Sequence, residues 1–297
     1  MKNTDALKIL QDYYDNGNPT EDEEFLFVEA LNYLIDQTKD PRYMTELGWY
    51  YCSQKRFDLE IRYLEMAAEY GYLPAMEELG YMWYYGQHGE QDYKKAFYYF
   101  SKGAGDDKTP GSLWCRYKLA DMYRFGCGVK KNEKRYRQMI EKAYKDVKDA
   151  QHLNDPYPEI CYRLAGIRAE DGADAAAIAL LKNAKAFMAE RLSWEAFWGH
   201  IEVMGRIVRM LYGLMPVDME AFDFYDMFYL ADHPGKYTFD MNGERYAIDV
   251  SDDEERAVGF DGKWYRTFED LCNKAEIEGR RFTTVYDELQ DWRIENE

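Results

Sequence analysis

Four histidines and five cysteines are the residues best equipped to bind a metal or act as nucleophiles, and their spacing favours neither use. His88, His152, His200 and His233 stand apart, with no HExxH pair and no cysteine cluster beside them. His200 and Glu202 read as an ordinary surface pair on one helix. Cys52, Cys115, Cys127, Cys161 and Cys272 are odd in number and make no CxxC, so they are not a disulfide framework. Gly126-Cys127-Gly128-Val129-Lys130-Lys131 has the look of a phosphate loop. A Walker loop, however, needs G-x-x-x-x-G-K-[ST] after a strand, and helices flank this one. Asp240-Met241-Asn242-Gly243 opens like a calcium loop, but Ser251 stands at position twelve, where a Glu is required. No nucleophile sits in a recognisable elbow. The expectation is a non-enzymatic chain without cofactor or metal. An unrecognised catalytic site in the tail is one alternative.

Charge narrows the partners. The 297 residues carry 56 acids against 38 bases, a net charge of −18. That excludes a general nucleic-acid binder, which needs a basic footprint, and disfavours anionic lipid. It leaves room for a basic protein partner. Residues 217–255 hold twelve acids against Lys236 and Arg245, with Phe222, Phe224, Tyr225, Phe228 and Tyr229 interleaved. Asp218, Glu220, Asp223, Asp226, Asp252, Asp253 and Glu254 are therefore candidates for an acidic, aromatic docking surface. A basic stripe, Lys130, Lys131, Lys134, Arg135, Arg137, Lys142 and Lys145, is expected to be solvated or paired within the molecule.

Tyrosine, at 28 residues, is the other signal. Successive residues on a helix point about 100° apart, so a triplet such as Trp49-Tyr50-Tyr51 or Trp83-Tyr84-Tyr85 cannot lie wholly in a core. Trp49, Tyr50, Tyr81, Tyr84 and Tyr85 are the candidates for a binding groove.

The elements that must hold these residues are short helices. Thr20 and Glu23 form a capping box ahead of apolar residues that run to Leu34. Breakers then recur every 15–20 residues to about residue 230, the rhythm of antiparallel helix pairs. The first residues hold no apolar signal core, and no stretch approaches the ~18 apolar residues of a membrane span. A cytoplasmic chain is expected. After Gly235, Asn242-Gly243 and Asp261-Gly262 each sit between apolar alternations and mark two hairpins. Thr267 should cap a helix over 268–275, and 281–291 reads as a last short helix.

The helical part repeats. Leu79-Gly80 is followed by Trp83, Gly86, Asp92, Lys95-Ala96, Tyr99-Phe100 and Lys102-Gly103-Ala104. Leu119-Ala120 is followed at the same offsets by Tyr123, Gly126, Asn132, Arg135, Met139-Ile140 and Lys142-Ala143. Leu47-Gly48 and Leu164-Ala165 open shortened copies. The small residue after Leu lets paired helices approach, the aromatic fills the gap, and the glycine loop turns the chain. Residues 75–104 and 116–144 resemble the Sel-like repeat branch of the tetratricopeptide superfamily. That pattern runs A-x-x-x-L-G-x-x-Y-x-x-G-x-G-V, D-x-x-K-A, W-F-x-K-A-A-x-x-G. His88-Gly89 replaces its G-V register in the earlier copy. The stretch 259–289 is similar to tails appended to such repeats in bacterial, clostridial-type proteins.

The resemblance implies a mostly α fold. It is a right-handed α-α superhelical solenoid with a small α+β carboxy-terminal domain, binding proteins or peptides on its concave face. The expected divisions are capping helices over 1–39, the repeats over 40–232 and the tail over 236–297. The expected function is a scaffold or adaptor for another protein or peptide, one of basic character. It is expected to be a monomer, with self-association as an alternative. An immunity-type inhibitor of a basic toxin or nuclease is the narrower alternative.

Overall fold

The computed structural model describes residues 1–105, 109–147, 156–194, 198–217, 219–253 and 257–295. The chain packs as two units, Met1–Met139 and Ile140–Glu297.

The first unit holds α1 (Asn3–Asp15), α2 (Glu21–Thr38), α3 (Pro41–Ser53), α4 (Phe57–Glu69), α5 (Leu73–Tyr85), α6 (Tyr93–Gly103), α7 (Pro110–Phe125) and the start of α8 (Glu133–Val147). Local chemistry starts and stops these helices. The expected capping box is present: Glu23 N–H donates to the Thr20 hydroxyl at 3.3 Å, and Thr20 N–H donates to the Glu23 carboxylate at 2.7 Å. Asp40, Asp92 and Thr109 cap α3, α6 and α7. Gly86 and Gly126 close α5 and α7 in the left-handed region, at φ 66° and 77°.

The repeat residues do what their spacing demands. A Cβ on Gly80 would lie 2.5 Å from the Phe100 ring, so only glycine lets α5 lie this close to α6. Gly128 sits at φ +68°, and a Cβ there would meet the Tyr93 carbonyl oxygen at 2.1 Å. Helix α3 pairs with α4 and α5 with α6, while α4 packs on α5, α6 on α7 and α5 on α7. The shared core runs through Leu31, Leu34, Leu47, Leu64 and Leu79, all at most 1% exposed.

The second unit holds the rest of α8, then α9 (Tyr157–Glu170), α10 (Asp174–Trp194) and α11 (Trp198–Leu214). Short 3-10 turns at Met219–Ala221 and Phe224–Asp226 lead to α12 (Met227–Leu230). The expected hairpins follow. Strands β1 (Gly235–Met241) and β2 (Glu244–Val250) flank Asn242 and Gly243, at φ 52° and 81°. Strands β3 (Val258–Phe260) and β4 (Lys263–Tyr265) flank Asp261 and Gly262, at φ 48° and 72°. Thr267 caps α13 (Phe268–Lys274).

The last segment departs from expectation. Strands β5 (Glu276–Ile277) and β6 (Arg280–Arg281) make a two-residue hairpin. Helix α14 (Phe282–Val285) and a 3-10 turn at Tyr286–Glu288 replace the longer helix, and β7 (Gln290–Glu295) then pairs with β1. The main sheet has the order β4-β3-β2-β1-β7.

The core also ignores the change of texture near residue 235. Met188 and Leu192 of α10 and Ile201 and Met204 of α11 belong to the same buried cluster as Phe239, Phe268, Phe282 and Trp292. The turn from helix to strand marks a change of secondary structure inside one core. At the same end of α10, between Met188 and Leu192, Arg191 Nη1 meets Glu159 Oε1 of α9 at 2.8 Å, with both side chains 2% exposed.

Candidate protein-binding face

The tyrosines of the first unit gather where α5 and α7 lie side by side. Tyr81 and Tyr85 are parallel, with ring centroids 6.1 Å apart. Tyr84 stands edge-on to Tyr85 at 4.9 Å. The Tyr81 and Tyr117 hydroxyls lie 3.3 Å apart. Inside this group sits the ammonium of Lys118, which is itself buried. It donates to the Tyr85 hydroxyl at 2.7 Å and lies 4.9, 5.1, 5.3 and 5.7 Å from the rings of Tyr85, Tyr81, Tyr84 and Tyr117. Negative ring faces hold the cation where water is scarce. Burial raises the pKa of Tyr81 and of Tyr84, with Tyr117 adding to the effect on Tyr81.

The five aromatic candidates therefore divide. Tyr81 and Tyr84 are half-buried and line the lysine cage. Tyr50 is half-buried as well: its ring lies 5.6 Å from Phe27, and its hydroxyl donates to Glu24 at 3.2 Å. Burial, then Glu24, pushes its pKa up to about 12. Trp49 and Tyr85 are exposed, at 53% and 52%. Phe125, at 62%, is exposed too, and the residue reading missed it. The signal was present: Phe125 stands 40 residues after Tyr85, at the equivalent repeat position, and each immediately precedes a left-handed glycine. The Arg124 guanidinium lies 5.7 Å from the Phe125 ring.

Of the acidic candidates whose side chains are described, Asp226 and Asp223 are drawn into an ion pair, and Asp252 and Asp253 stay on the surface. Asp226 is fully buried, and its carboxylate meets Lys185 Nζ at 2.5 Å. Asp223 reaches the same ammonium at 2.9 Å. Burial, then Asp223, raises the pKa of Asp226, with Lys185 opposing. Phe222, Phe224, Tyr225 and Phe228 are buried and Tyr229 is half-buried, because the two 3-10 turns and α12 fold this strip onto the core of the second unit. Asp252 and Asp253 are exposed, and Asp253 accepts from Ser251 at 2.8 Å. Glu220 lies in the Met219–Ala221 turn, placed by its backbone alone. Asp218 and Glu254 lie outside the described residues.

Of the expected surface pair on α11, Glu202 instead pairs with Arg206 one turn on. His152 lies outside the described residues. Among those described, one group of three metal-ligating side chains converges: Cys52, Glu60 and His88. No helix among them is long and apolar enough to cross a membrane.

No family model matches the chain, and no curated protein does. Solved structures do. A Sel1 repeat protein from Oxalobacter formigenes is similar at 18% identity and a TM-score of 0.47, over 74% of this chain and 82% of that one. c5321, a protective antigen present in uropathogenic Escherichia coli strains that displays an SLR fold, is similar at 16% identity and a TM-score of 0.36. That match covers 62% of this chain and 48% of the antigen. The first unit's own packing has paired short helices, Gly80 where α5 approaches α6, and left-handed glycines closing α5 and α7.

Proposed function

We propose that the chain is a protein-interaction scaffold whose first unit receives a basic segment of a partner protein across α5 and α7. The observation that carries this is the pair Tyr85 and Phe125, two large rings left more than half exposed at equivalent repeat positions. A ring exposed once is ordinary, but the same exposure repeated at a 40-residue offset is a periodic surface. Aromatic residues on such a surface give large contact area at low entropic cost. Arginine and lysine side chains stack on tyrosine and phenylalanine faces, and the cage around Lys118 demonstrates that chemistry within the chain itself. The net charge of −18 draws basic partners into encounter.

The test is a peptide array of basic, acidic and neutral sequences, probed with the wild-type chain and with the double variant Tyr85→Ala, Phe125→Ala. The reading expects a set of basic peptides bound by the wild type, weakened by salt and lost in the variant. An identical bound set for both proteins would remove this face from the account. A set of acidic peptides would reverse the partner's charge.

A further inference from the structure

Three side chains distant in sequence meet in the first unit. Cys52 comes from the last turn of α3, Glu60 from the first turn of α4, and His88 from the loop after α5. The Cys52 sulfur, a Glu60 carboxylate oxygen and a His88 ring nitrogen all lie within 4.8 Å of one another. We propose that Cys52, Glu60 and His88 form a binding site for one divalent cation of the zinc class.

The burial of Glu60 is the central observation. Its side chain is 1% exposed, and Oε2 makes no hydrogen bond while facing His88 Nε2 at 3.2 Å. A carboxylate taken out of water is costly unless positive charge meets it. Its surroundings add acid. Glu78 is a second carboxylate close enough to interact with Glu60, Cys52 and His88. Two carboxylates and a thiol thus converge on one imidazole. A divalent cation supplies the missing charge, takes the thiol as thiolate, and releases that proton to solvent.

The donor set selects the metal. One sulfur, one imidazole nitrogen and one carboxylate oxygen suit zinc, and magnesium and calcium prefer oxygen alone. Ligand atoms around tetrahedral zinc lie about 3.4–3.6 Å apart, so a pair near the 4.8 Å limit must close by about 1 Å, while Glu60 and His88 already stand at 3.2 Å. The His88 loop is built to allow it, since Gly86 and Gly89 flank the histidine at φ 66° and 147°. The Phe57 ring stacks on the imidazole at 3.9 Å and 9°, which sets its plane. A cavity of about 40 Å³ lined by Trp83 and His88 lies beside the imidazole, large enough to hold a water. Bound there, the cation would tie the α3–α4 hairpin to the loop of the next repeat.

The experiment uses the full chain, stripped with a chelator and titrated with Zn²⁺, with Mg²⁺ and with Co²⁺. One equivalent of Zn²⁺ should bind, Mg²⁺ should not compete, and Co²⁺ should give a thiolate charge-transfer band. Cys52→Ser should abolish that band. His88→Ala should weaken Zn²⁺ binding by at least about 100-fold, more than loss of an outer-shell partner costs. Cys127→Ser should change neither. Circular dichroism confirms that each variant is folded, and His88→Gln on the loop serves if Cys52→Ser is not. No uptake by the wild type would overturn the site. So would uptake and a cobalt band that both variants leave unchanged, the signature of adventitious surface binding.

Discussion

In the first unit the rings of Tyr85 and Phe125 stay more than half exposed at the ends of α5 and α7. In the second, Phe224 stacks on Phe282 at 5.0 Å and meets Phe268 at 5.1 Å, with all three at most 1% exposed. Both units are rich in aromatics, yet the first presents Tyr85 and Phe125 while the second encloses the rings of its 222–228 strip. The reason is what lies against them. A repeat hairpin closes its core with leucine, alanine and one aromatic per close approach, so the second ring of a triplet has nowhere to go but outward. In the second unit, a sheet and two short helices supply a further apolar layer, and the strip 222–228 folds into it. Both units also bury charge. Glu159–Arg191 and Asp226–Lys185 are buried pairs in the second unit. In the first, the buried Glu60 faces a histidine and a thiol.

The sharpest break between the units should come from Arg191→Ala. Removing one member of a fully buried pair strands Glu159, at a cost of about 3–5 kcal/mol. Native-state hydrogen exchange should register that loss in the α9 and α10 peptides and leave α3–α6 unchanged. Uniform loss across both units would mean that they unfold together. Next in size, Gly80→Ala drives a methyl group into the Phe100 ring. Denaturant unfolding should report about 1–3 kcal/mol, confined to the first unit. A smaller loss would mean that α5 and α6 separate easily.

The pH dependence separates the units more gently. Burial, then Glu78, raises the pKa of Glu77 to about 7. The folded state therefore holds the proton more tightly than the unfolded chain does. Its stabilising effect is complete below about 4.5 and is lost as pH rises toward about 7. A fall on the order of 1–3 kcal/mol across that window is expected in the first unit, and Glu77→Gln should flatten it. A rise with pH would contradict the assignment. The smallest effect on stability belongs to Phe125→Ala, within about 0.5 kcal/mol by thermal melt, because the ring contributes mostly to the surface. A large loss would make Phe125 a core residue.

Much of this was legible in the residues. Thr20 with Glu23, the Leu-Gly anchors and the Asn242-Gly243 and Asp261-Gly262 turns each carry a local rule, and each rule held. Strand β7 was not legible. It is an edge strand with Trp292 as its one buried side chain, so its alternation is one residue deep. The strip 217–229 misled for a different reason. Acids beside aromatics look the same whether the rings face a partner or a core, and what decides is the sheet that arrives later in the chain. The Cys52, Glu60 and His88 group was hidden by separations of 8 and 28 residues, although the departure from the repeat pattern at His88-Gly89 marked one corner of it.

On the proposed reading, the first unit offers Tyr85 and Phe125 to a partner, and no exposed ring of the second unit takes part. The direct measurement places a photo-crosslinking amino acid at position 125 in one protein and at position 264 in another, each in the otherwise intact chain. Trp264, at 60% exposure, is the matching surface ring of the second unit. With a basic peptide selected on the wild type, the account predicts efficient crosslinking from position 125 and none from position 264. Crosslinking from 264 alone would place the partner on the second unit and contradict it.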